Sequence, residues 1–452
     1  MLGIQGDPIQ EIGIDKYAEE LRKGKVSAEE ITSTYLERIE KLDSKYQSFT
    51  FVNNENALNS AKGIDKLIKA NIDLGPLMGV PIAVKDLFAV DGMPSSAGSH
   101  VDVHDIIGKE GSFIKRLKSL GCIFLGKTRM IEFAAGGQNQ NHVTPWNPID
   151  ADIKLTPGGS SNGSAVALGA GLCGFSIGTD TGGSVRAPAS MCGLCGIKTS
   201  TGMWPLDGIF PLCPDMDTIG FFTHTMSDAK TVWSAIEDTA LQTIPLKGLR
   251  VGMPTDLFFD DLEESVREAT EHAVDSLKSY GIEIQEITLP DLDKVNEIYA
   301  KMVPSNLLAT LGRKRFELKK DVIDPVAVDR ILTAYEFKSD EYIQCLQTFT
   351  KMKREIKSVI SNLDAFITPT CPIKPQKVAE LDTKKKCIQF SGKSLRNTRP
   401  CNAYDLCATS IPIHKSGKKL PVGLQVHCDH GEDFKLLSIS SAIENVFKKN
   451  IA

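Results

Sequence analysis

The chain has 452 residues, of which 41% are hydrophobic and 24% are charged, and its formal net charge is −5. These values are ordinary for a globular protein that is long enough to bury a sizeable core. The net negative charge gives no electrostatic support to direct binding of nucleic acid or of an anionic membrane. No apolar run reaches the roughly 18 residues of a transmembrane helix, and residues 1–15 lack the features of a signal peptide. We therefore expect a cytoplasmic protein without a membrane anchor, in which the eleven cysteines are free thiols.

The first 150 residues have the pattern of an α/β protein. Ser27 and Glu30 form a capping box, the sequence signature of a helix N-terminus. Apolar residues then recur at helical spacing, which predicts an amphipathic helix over 28–44. The same region contains two apolar runs typical of buried strands and one further helical pattern, at 79–84, 122–125 and 112–120 respectively.

The rest of the chain divides by composition. Glycine, serine and threonine are concentrated between apolar runs in 150–220, and such loops carry function more often than packing. Residues 226–360 are helical and charged in pattern, with one strand-like piece at 249–253, and the charged run 313–321 is typical of a solvated helix face. Later apolar runs and a final amphipathic pattern predict strands at 365–370 and 421–426 and a helix at 433–447.

Two glycine motifs match nucleotide-binding patterns but lack the required context. The segment 121–128 fits the Walker A pattern, yet its four intervening residues are apolar and strand-like rather than a phosphate-binding loop. The segment 169–174 fits the dinucleotide fingerprint, but the predicted helix precedes it and the predicted strand follows it, which is the reverse of the required order. We interpret the second motif as a helix end with a glycine in the left-handed conformation.

The cysteines and histidines form no recognisable metal site. Cys192 and Cys195 make one CxxC pair, whereas a four-thiolate zinc site needs two. His427 and His430 lie three residues apart, and a structural role, buried or at the surface, is favoured for both of them. None of the eight histidines lies in a nucleophile–histidine arrangement, so we expect neither a metal nor another cofactor.

Three segments together carry the chemistry of a serine hydrolase. Lys85 ends the apolar run that begins at Val80, and Gly/Ser-rich loops occupy 158–164 and 178–186. A serine hydroxyl is a weak nucleophile until a base takes its proton, and serine–lysine pairs can replace the usual histidine. The lysine must be neutral, which burial at a strand end favours. Taken singly, each segment also fits a role without catalysis. Lys85 could be a strand-end lysine that reaches solvent, and the Gly-rich loop could be a simple glycine turn.

The three segments resemble the amidase-signature family. The resemblance is carried by GVPIAVKD at 79–86, PGGSSNGSA at 157–165 and GTDTGGSVRAPA at 178–189. It extends to the shorter motifs GKT, WNPID, CGLCGIK and LPVGLQV, at 126–128, 146–150, 192–198 and 420–426. It implies an α/β class fold over 1–452, a single α/β/α domain around a large mixed and twisted sheet. The unmarked stretch 226–345 would be a variable, mostly helical region that shapes the substrate pocket.

The resemblance also implies a role for each residue of the site. Ser184 corresponds to the acylated nucleophile, Lys85 to the base, and Ser160 to a bridging serine that follows a cis peptide bond. The backbone amides that bind the oxyanion correspond to Thr181, Gly182 and Gly183, and the supporting residues to Ser161, Asp180 and Arg186. The implied reaction passes through an acyl-enzyme and releases ammonia or an amine without a cofactor. Asn162 departs from the commonest glycine and is expected to narrow the site.

The family contains both stand-alone amide hydrolases and the A subunit of the glutamine-dependent aminoacyl-tRNA amidotransferase. Residues 207–217 and 397–402 are more similar to the stand-alone branch, and no tyrosine-rich glutamine-binding segment is evident near 330–350. We therefore favour a stand-alone amidase acting on a small-molecule amide. The alternative is the amidotransferase component, and the second alternative is a non-catalytic binding protein. The acyl group, and whether the chain forms a homodimer, are left open by the sequence.

Overall fold

The backbone is organised around one sheet of eleven strands in a computed structural model that describes residues 6–254, 256–413 and 420–451. In chain order the strands are β1 (Phe49–Val52), β2 (Pro81–Lys85), β3 (Ile123–Thr128), β4 (Phe175–Asp180), β5 (Cys195–Lys198), β6 (Thr218–Thr223), β7 (Arg250–Pro254), β8 (Glu283–Ile287), β9 (Ala365–Pro369), β10 (Cys407–Pro412) and β11 (Gly423–Cys428).

The order of the strands across the sheet is β1-β3-β2-β4-β6-β5-β10-β11-β9-β7-β8. Strand β2 pairs in parallel with both β3 and β4, and β7 pairs in parallel with both β8 and β9. The other six pairings are antiparallel. The sheet is therefore mixed, as the sequence predicted, and its central strands are buried along their whole length.

Sixteen helices surround this sheet in the described part of the chain. They are α1 (Ile14–Arg22), α2 (Ala28–Tyr46), α3 (Asn54–Lys69), α4 (His104–Ile107), α5 (Ser112–Ser119), α6 (Asn162–Gly169), α7 (Arg186–Cys192), α8 (Met226–Glu237), α9 (Glu264–Ser279), α10 (Val295–Leu311), α11 (Arg313–Lys319), α12 (Pro325–Leu332), α13 (Ser339–Ile360), α14 (Lys384–Ser394), α15 (Arg399–Ala403) and α16 (Asp433–Ile451).

Helices cover both faces of the sheet. The contacts of two neighbouring residues of β10, Thr409 and Ser410, show this. The Thr409 hydroxyl is hydrogen-bonded to Ser440 of α16, 2.7 Å away. A side chain at Gly423 of β11 would meet both the next residue of β10, Ser410, and Ser190 of α7. Successive side chains of a strand point to opposite faces, so α16 and α7 lie on opposite sides of the sheet. This arrangement confirms the α/β class.

The predicted N-terminal capping box is present at the start of α2. The Ser27 hydroxyl accepts a hydrogen bond from the Glu30 N–H at 3.1 Å, and the Glu30 carboxylate accepts one from the Ser27 N–H at 2.9 Å. These bonds satisfy amides that have no partner within the helix. The helix continues two residues beyond the predicted end, to Tyr46, where Gln47 adopts a left-handed conformation with φ 53°.

The other predicted strands and helices are also present, with ends shifted by a few residues. One prediction was wrong, because 226–360 contains a second strand, β8, besides β7. The strand β8 has the sequence EIQEI, and among the described residues it pairs only with β7, at the edge of the sheet. A half-exposed edge strand with charged residues does not produce the apolar run by which a buried strand is recognised.

Neither glycine motif forms a nucleotide-binding loop. Residues Ile123–Thr128 are strand β3, and the buried Lys127 amine donates to the Phe88 carbonyl at 2.6 Å and to the Ser95 hydroxyl at 2.6 Å. In the second motif α6 ends at Gly169, and Gly171 has φ 67°. The helix end with a left-handed glycine is therefore confirmed.

All eleven cysteines are buried and free. Among the described residues, no helix combines the length and the apolar character needed to cross a membrane.

Candidate active site

Strand β2 delivers Lys85 to the interior of the molecule. The strand lies between β3 and β4, and the Lys85 side chain at its end is fully buried. The Lys85 amine lies 2.8 Å from the Ser160 hydroxyl oxygen and 2.8 Å from the Thr179 hydroxyl oxygen. The structure therefore brings together two of the three predicted catalytic residues and adds Thr179, which sequence reasoning missed.

Burial lowers the pKa of Lys85 to about 7, although the carboxylates of Asp180 and Asp217 act in the opposite direction. Removing an ammonium group from water disfavours its charged form, and here this effect outweighs the two negative charges. Lys85 can therefore be neutral, and able to accept a proton, near neutral pH.

Ser160 lies in the loop that leads into helix α6, and its side chain is fully buried. The peptide bond between Gly159 and Ser160 is cis, as the family resemblance implied. The Ser160 carbonyl accepts a hydrogen bond from the Ile131 N–H at 3.0 Å. This backbone contact anchors the loop to the segment that follows β3.

Ser184 lies between β4 and α7, at the surface of a cavity, and it is 4% exposed. Its carbonyl accepts a hydrogen bond from the Ser161 N–H at 3.1 Å, which ties the two Gly/Ser-rich loops together. The hydroxyls of these described residues, Ser160 and Ser184, share no hydrogen bond in the structure. Catalytic hydrogen bonds are often loose before substrate binds.

Asp180 and Arg186 form a buried ion pair that shapes the loop carrying Ser184. The Asp180 carboxylate accepts the N–H groups of Gly183 at 2.8 Å and Val185 at 3.1 Å, and the Arg186 guanidinium at 2.8 Å. Burial works against ionisation of Asp180, but the guanidinium outweighs it and holds the pKa of that carboxyl well below its usual range. The pair is thus bonded to the backbone of the loop through two of its N–H groups.

Arg186 is held in turn by residues from the last part of the chain. Its guanidinium donates to the Thr398 carbonyl at 2.9 Å and to the side-chain oxygens of Gln425 at 2.8 Å and Asn402 at 2.6 Å. Sequence reasoning assigned no function to these three residues, although all of them lie in segments that it had marked, 397–402 and LPVGLQV. Their role depends on contacts more than 200 residues apart in sequence.

The amides that precede Ser184 differ in how they are used. The Gly183 N–H already donates to Asp180. Within the described structure, the N–H groups of Thr181, Gly182 and Ser184 have no protein acceptor. Gly183 has φ 118°, and a side chain at this position would collide with Thr398. Glycine is therefore required at position 183 by the conformation of the backbone. The N–H groups that remain free to bind a ligand are those of the neighbouring residues Thr181, Gly182 and Ser184.

Two further side chains fix the conformation of Thr181. Its hydroxyl donates to the Asp217 carboxylate at 2.5 Å. Its carbonyl accepts a hydrogen bond from the Tyr299 hydroxyl at 2.7 Å. Tyr299 comes from helix α10, in the region that carried no motif, so sequence patterns gave no signal for it.

A cavity of about 590 Å³ opens above Ser184. Its floor includes Thr181, Gly182 and Ser184, and its walls come largely from helices α10 and α12 and from the segments that follow them. Most of the wall residues are apolar, among them Leu212, Ala300, Val303, Pro304, Val326, Leu332 and Leu395.

The remaining candidate residues lie outside this cavity. Asn162 is buried at the start of α6, where its side-chain oxygen accepts the Gly163 N–H at 2.7 Å, so the expectation that it narrows the site was wrong. The Cys195 thiol contacts Glu444, and the buried His427 is hydrogen-bonded to Thr368 at 3.0 Å. In the described ranges, no three residues of the metal-ligating types converge.

Comparison with known proteins agrees with this geometry. Residues 30–437 match the family model described as Amidase. The chain belongs to the amidase family and is an amide-hydrolysing enzyme.

Two curated relatives cover nearly the whole chain. The chain is 33% identical to the 2-amino-5-chloromuconic acid deaminase of Comamonas testosteroni, over 96% of both proteins. It is 30% identical to the A subunit of the glutamyl-tRNA(Gln) amidotransferase of Clostridium kluyveri, over 96% of this chain and 95% of that protein. The amidotransferase branch, which the sequence left open, is therefore represented among the relatives.

Solved structures show the same fold. A crystal structure of an amidase superposes with a TM-score of 0.86 at 27% identity, covering 95% of this chain and 98% of the other. The native peptide amidase from Stenotrophomonas maltophilia has a TM-score of 0.80 at 23% identity, covering 98% of both chains.

Proposed function

We propose that this enzyme is a stand-alone amidase that hydrolyses a small-molecule carboxamide with Ser184 as nucleophile, Ser160 as proton relay and Lys85 as base. The observation that carries the proposal is the 2.8 Å contact between the Lys85 amine and the Ser160 hydroxyl, buried beneath a cavity that exposes Ser184. A buried lysine whose pKa lies near 7 fits the function of a general base.

The contacts of Lys85 suggest how its lone pair is directed. A neutral amine has two N–H groups and one lone pair. If one N–H donates to the Thr179 hydroxyl, the lone pair can accept the proton of Ser160. Thr179 is thus proposed as the residue that orients the base.

In the proposed reaction, Ser160 passes its proton to Lys85 as it accepts the proton of Ser184. The Ser184 oxygen attacks the amide carbon, and a tetrahedral oxyanion forms. Lys85 returns its proton through Ser160 to the leaving nitrogen, the C–N bond breaks, and an acyl-enzyme is left. Water then attacks the ester by the same proton route, which releases the acid and restores Ser184.

The oxyanion is proposed to bind at the loop 181–184. The N–H groups of Thr181, Gly182 and Ser184 are available as donors, and the loop is held by Asp180, Asp217 and Tyr299 before substrate arrives. Such preorganised donors contribute about 3–4 kcal/mol each in well-studied hydrolases. Gly183 belongs to the same loop, but its N–H is shared with Asp180.

We further infer that 226–345 shapes the acyl pocket, because helices α10 and α12 contribute much of the cavity wall. Similarity to a deaminase of 2-amino-5-chloromuconic acid supports a small-molecule substrate. Similarity to the amidotransferase supports the alternative, in which glutamine is the substrate and partner subunits are needed.

A fluorophosphonate probe and a panel of amides test the proposal. Wild-type protein should be labelled, and the purified chain should release ammonia or an amine from at least one amide other than glutamine. Both signals should disappear in Ser184→Ala. Turnover of glutamine alone, or only with added partner subunits, would favour the amidotransferase branch. Absence of labelling would leave a binding protein on the same fold.

A further inference from the structure

The segment 132–142 runs from the loop of Ser160 to the wall of the cavity. Immediately before it, the Ile131 N–H donates to the Ser160 carbonyl at 3.0 Å. Two residues of the segment itself, Ala134 and Gly136, line the cavity. The position of this segment therefore affects both the proposed proton relay and the shape of the cavity.

Glu132, the first residue of the segment, is fully buried and contacts the start of helix α12. Its carboxylate accepts a hydrogen bond from the Asp324 N–H at 2.5 Å. Asp324 is the residue directly before α12, and the N–H groups at the start of a helix have no acceptor within that helix. Glu132 therefore supplies the acceptor that the helix itself cannot offer.

Asp324 makes the converse contact, from the start of the helix to the end of the segment. Its buried carboxylate accepts the N–H groups of Gln140 at 3.0 Å and Asn141 at 2.7 Å. The same carboxylate caps α12 by accepting the Val326 N–H at 3.0 Å. Two buried carboxylates therefore each bind the backbone of the other's segment, an arrangement that we call the Glu132–Asp324 latch.

Helix α12 depends on contacts with the rest of the molecule for its position. It has eight residues, too few for a helix that is stable by itself. Its ion pair, between Asp329 and Lys384 at 2.8 Å, joins side chains that are 37% and 44% exposed, and such exposed pairs contribute little. Val326 and Leu332 of this helix line the cavity. The latch therefore holds a part of the wall that faces the proposed acyl pocket.

The backbone of the segment has a conformation that needs support. Phe133 and Ala134 have φ 53° and 59°, in the left-handed region that non-glycine residues rarely adopt. Such a conformation costs free energy and persists where surrounding contacts enforce it. The latch binds the segment on both sides of this pair, at Glu132 and at 140–141. It therefore also fixes the cavity residue Ala134.

We propose that Glu132 and Asp324 are positioning residues that hold helix α12 at a fixed distance from the segment 132–142 and thereby set the size of the acyl pocket. This inference rests on the proposed function and identifies two residues that determine which acyl groups fit. Neither side chain is among the described residues that line the cavity, so both act on the substrate through the wall.

The expected effect of the latch depends on the length of the acyl group. A long acyl chain gains free energy by burying its methylene groups against Val326 and Leu332. When α12 is free to move, these contacts are lost for part of the time, and binding of the long chain weakens. An acetyl group stays beside Ser184 and gains nothing from α12, so its binding should not respond.

Hydrogen–deuterium exchange tests the latch without any need for turnover. Glu132→Met removes the acceptor at similar volume, so the amides of α12 should exchange about tenfold faster than in the wild-type chain, relative to the amides of α9. Glu132→Gln keeps an acceptor oxygen for the Asp324 N–H and should stay within about threefold of wild type. Unchanged exchange of α12 in Glu132→Met overturns the inference.

Asp324→Ser provides an independent variant. A serine is a preferred N-cap for α12 but is too short to reach Gln140 and Asn141, so the latch is broken while the cap remains. Exchange of α12 should again rise about tenfold. This variant keeps the test valid if Glu132→Met does not fold, because unchanged exchange of α12 in Asp324→Ser would equally overturn the inference.

Hydrolysis of p-nitrophenyl acetate and p-nitrophenyl octanoate tests the effect on the acyl pocket. In Glu132→Met and Asp324→Ser the KM for the octanoate should rise about tenfold, while the KM for the acetate and kcat for both esters stay within about twofold. Glu132→Gln should restore the KM for the octanoate. An equal rise of KM for both esters, or an equal fall of kcat, would assign the pair to support of Ser160 or of the whole fold and overturn the inference.

Asp7→Ala is the matched control. Asp7 is 1% exposed, as Asp324 is, and its carboxylate also accepts two backbone N–H groups, those of Ile9 at 3.1 Å and Gln10 at 3.0 Å. It is not among the described residues that line the cavity. Its substitution should leave the ratio of the two KM values and the exchange of α12 relative to α9 within about twofold. A change as large as that in Glu132→Met would contradict a specific latch.

Failure of the proposed function would be seen in the wild-type chain, as the absence of hydrolysis that depends on Ser184. The exchange of α12 does not require that activity, and it would still decide whether the latch holds the helix.

Discussion

The floor and the wall of the cavity differ in whether their charged side chains have partners. At the floor, the buried ion pair of Asp180 and Arg186 is enclosed by hydrogen bonds, and the buried amine of Lys85 has two hydroxyl partners. On the wall, Arg330 and Arg399 have no carboxylate partner among the described residues. The charged groups beneath the floor are therefore held in place before any ligand binds, as preorganised catalysis requires, whereas the two arginines of the wall lack a carboxylate partner among the described residues.

The two regions also differ in how their parts are joined. The floor is built from three motif-bearing segments around the central strands β2 and β4, with the loop held by the Asp180–Arg186 pair. The wall is built largely from helices of the unmarked region, and a hydrogen bond from Tyr299 to Thr181 joins it to the loop 181–184. Chemistry and substrate choice can therefore vary separately in this fold.

The largest effect is expected at Ser184, the proposed nucleophile. Ser184→Ala should lower kcat/KM by about 10⁵- to 10⁶-fold, the scale on which a catalytic serine is lost in other hydrolases. Ser190→Ala is the control, because Ser190 is also 4% exposed but lies outside the cavity. A fall of less than about a hundredfold in Ser184→Ala would mean that another group attacks the substrate.

The next largest effect is expected when the buried Arg186 loses its ion-pair partner, Asp180. Asp180→Asn leaves Arg186 without its counter-ion, so the free energy of unfolding in urea should fall by about 3–5 kcal/mol. Because the pKa of Asp180 is lowered from 3.8, its contribution is present above about pH 4 and is lost as the pH falls further.

Asp433→Asn provides the comparison for that measurement. Asp433 is also buried, but burial raises its pKa, so the fold does not favour its charge. Its substitution should cost about 1 kcal/mol or less. Equal losses in the two variants would show that burial of the carboxyl, and not the ion pair, sets the effect.

The proposal that Lys85 is the base predicts how kcat/KM depends on pH. Since the pKa of Lys85 is about 7, kcat/KM should be constant above that pH and fall about tenfold for each pH unit below it. The negative charge of Asp217 raises the pKa of Lys85, so Asp217→Asn should move the acid limb to lower pH. Asp293→Asn, at a side chain that is 76% exposed, should leave the limb in place. A limb that does not move in Asp217→Asn contradicts the assignment to Lys85.

The smallest effect is expected at Asn162. Its side chain bonds the neighbouring Gly163 amide and does not reach the cavity. Asn162→Gly should therefore change kcat/KM by less than about twofold and cost at most about 1 kcal/mol in stability, through backbone entropy. A larger change in KM than in stability would show that the residue does face the substrate.

The sequence by itself determined the α/β class, the helix cap at Ser27 and the segments that carry Lys85, Ser160 and Ser184. Each of these is local, since a capping box, an apolar strand or a Gly/Ser loop is encoded within about ten neighbouring residues. It missed strand β8, because an edge strand that carries charged residues gives no continuous apolar run.

Only the tertiary structure decided which groups meet at the site. Thr398, Asn402 and Gln425 reach Arg186 across more than 200 residues of chain, and Tyr299 reaches Thr181 across 118. No local pattern encodes such contacts, because they depend on how the elements pack. The same holds for Arg330, which has no carboxylate partner among the described residues because its sequence neighbour Asp329 pairs with Lys384.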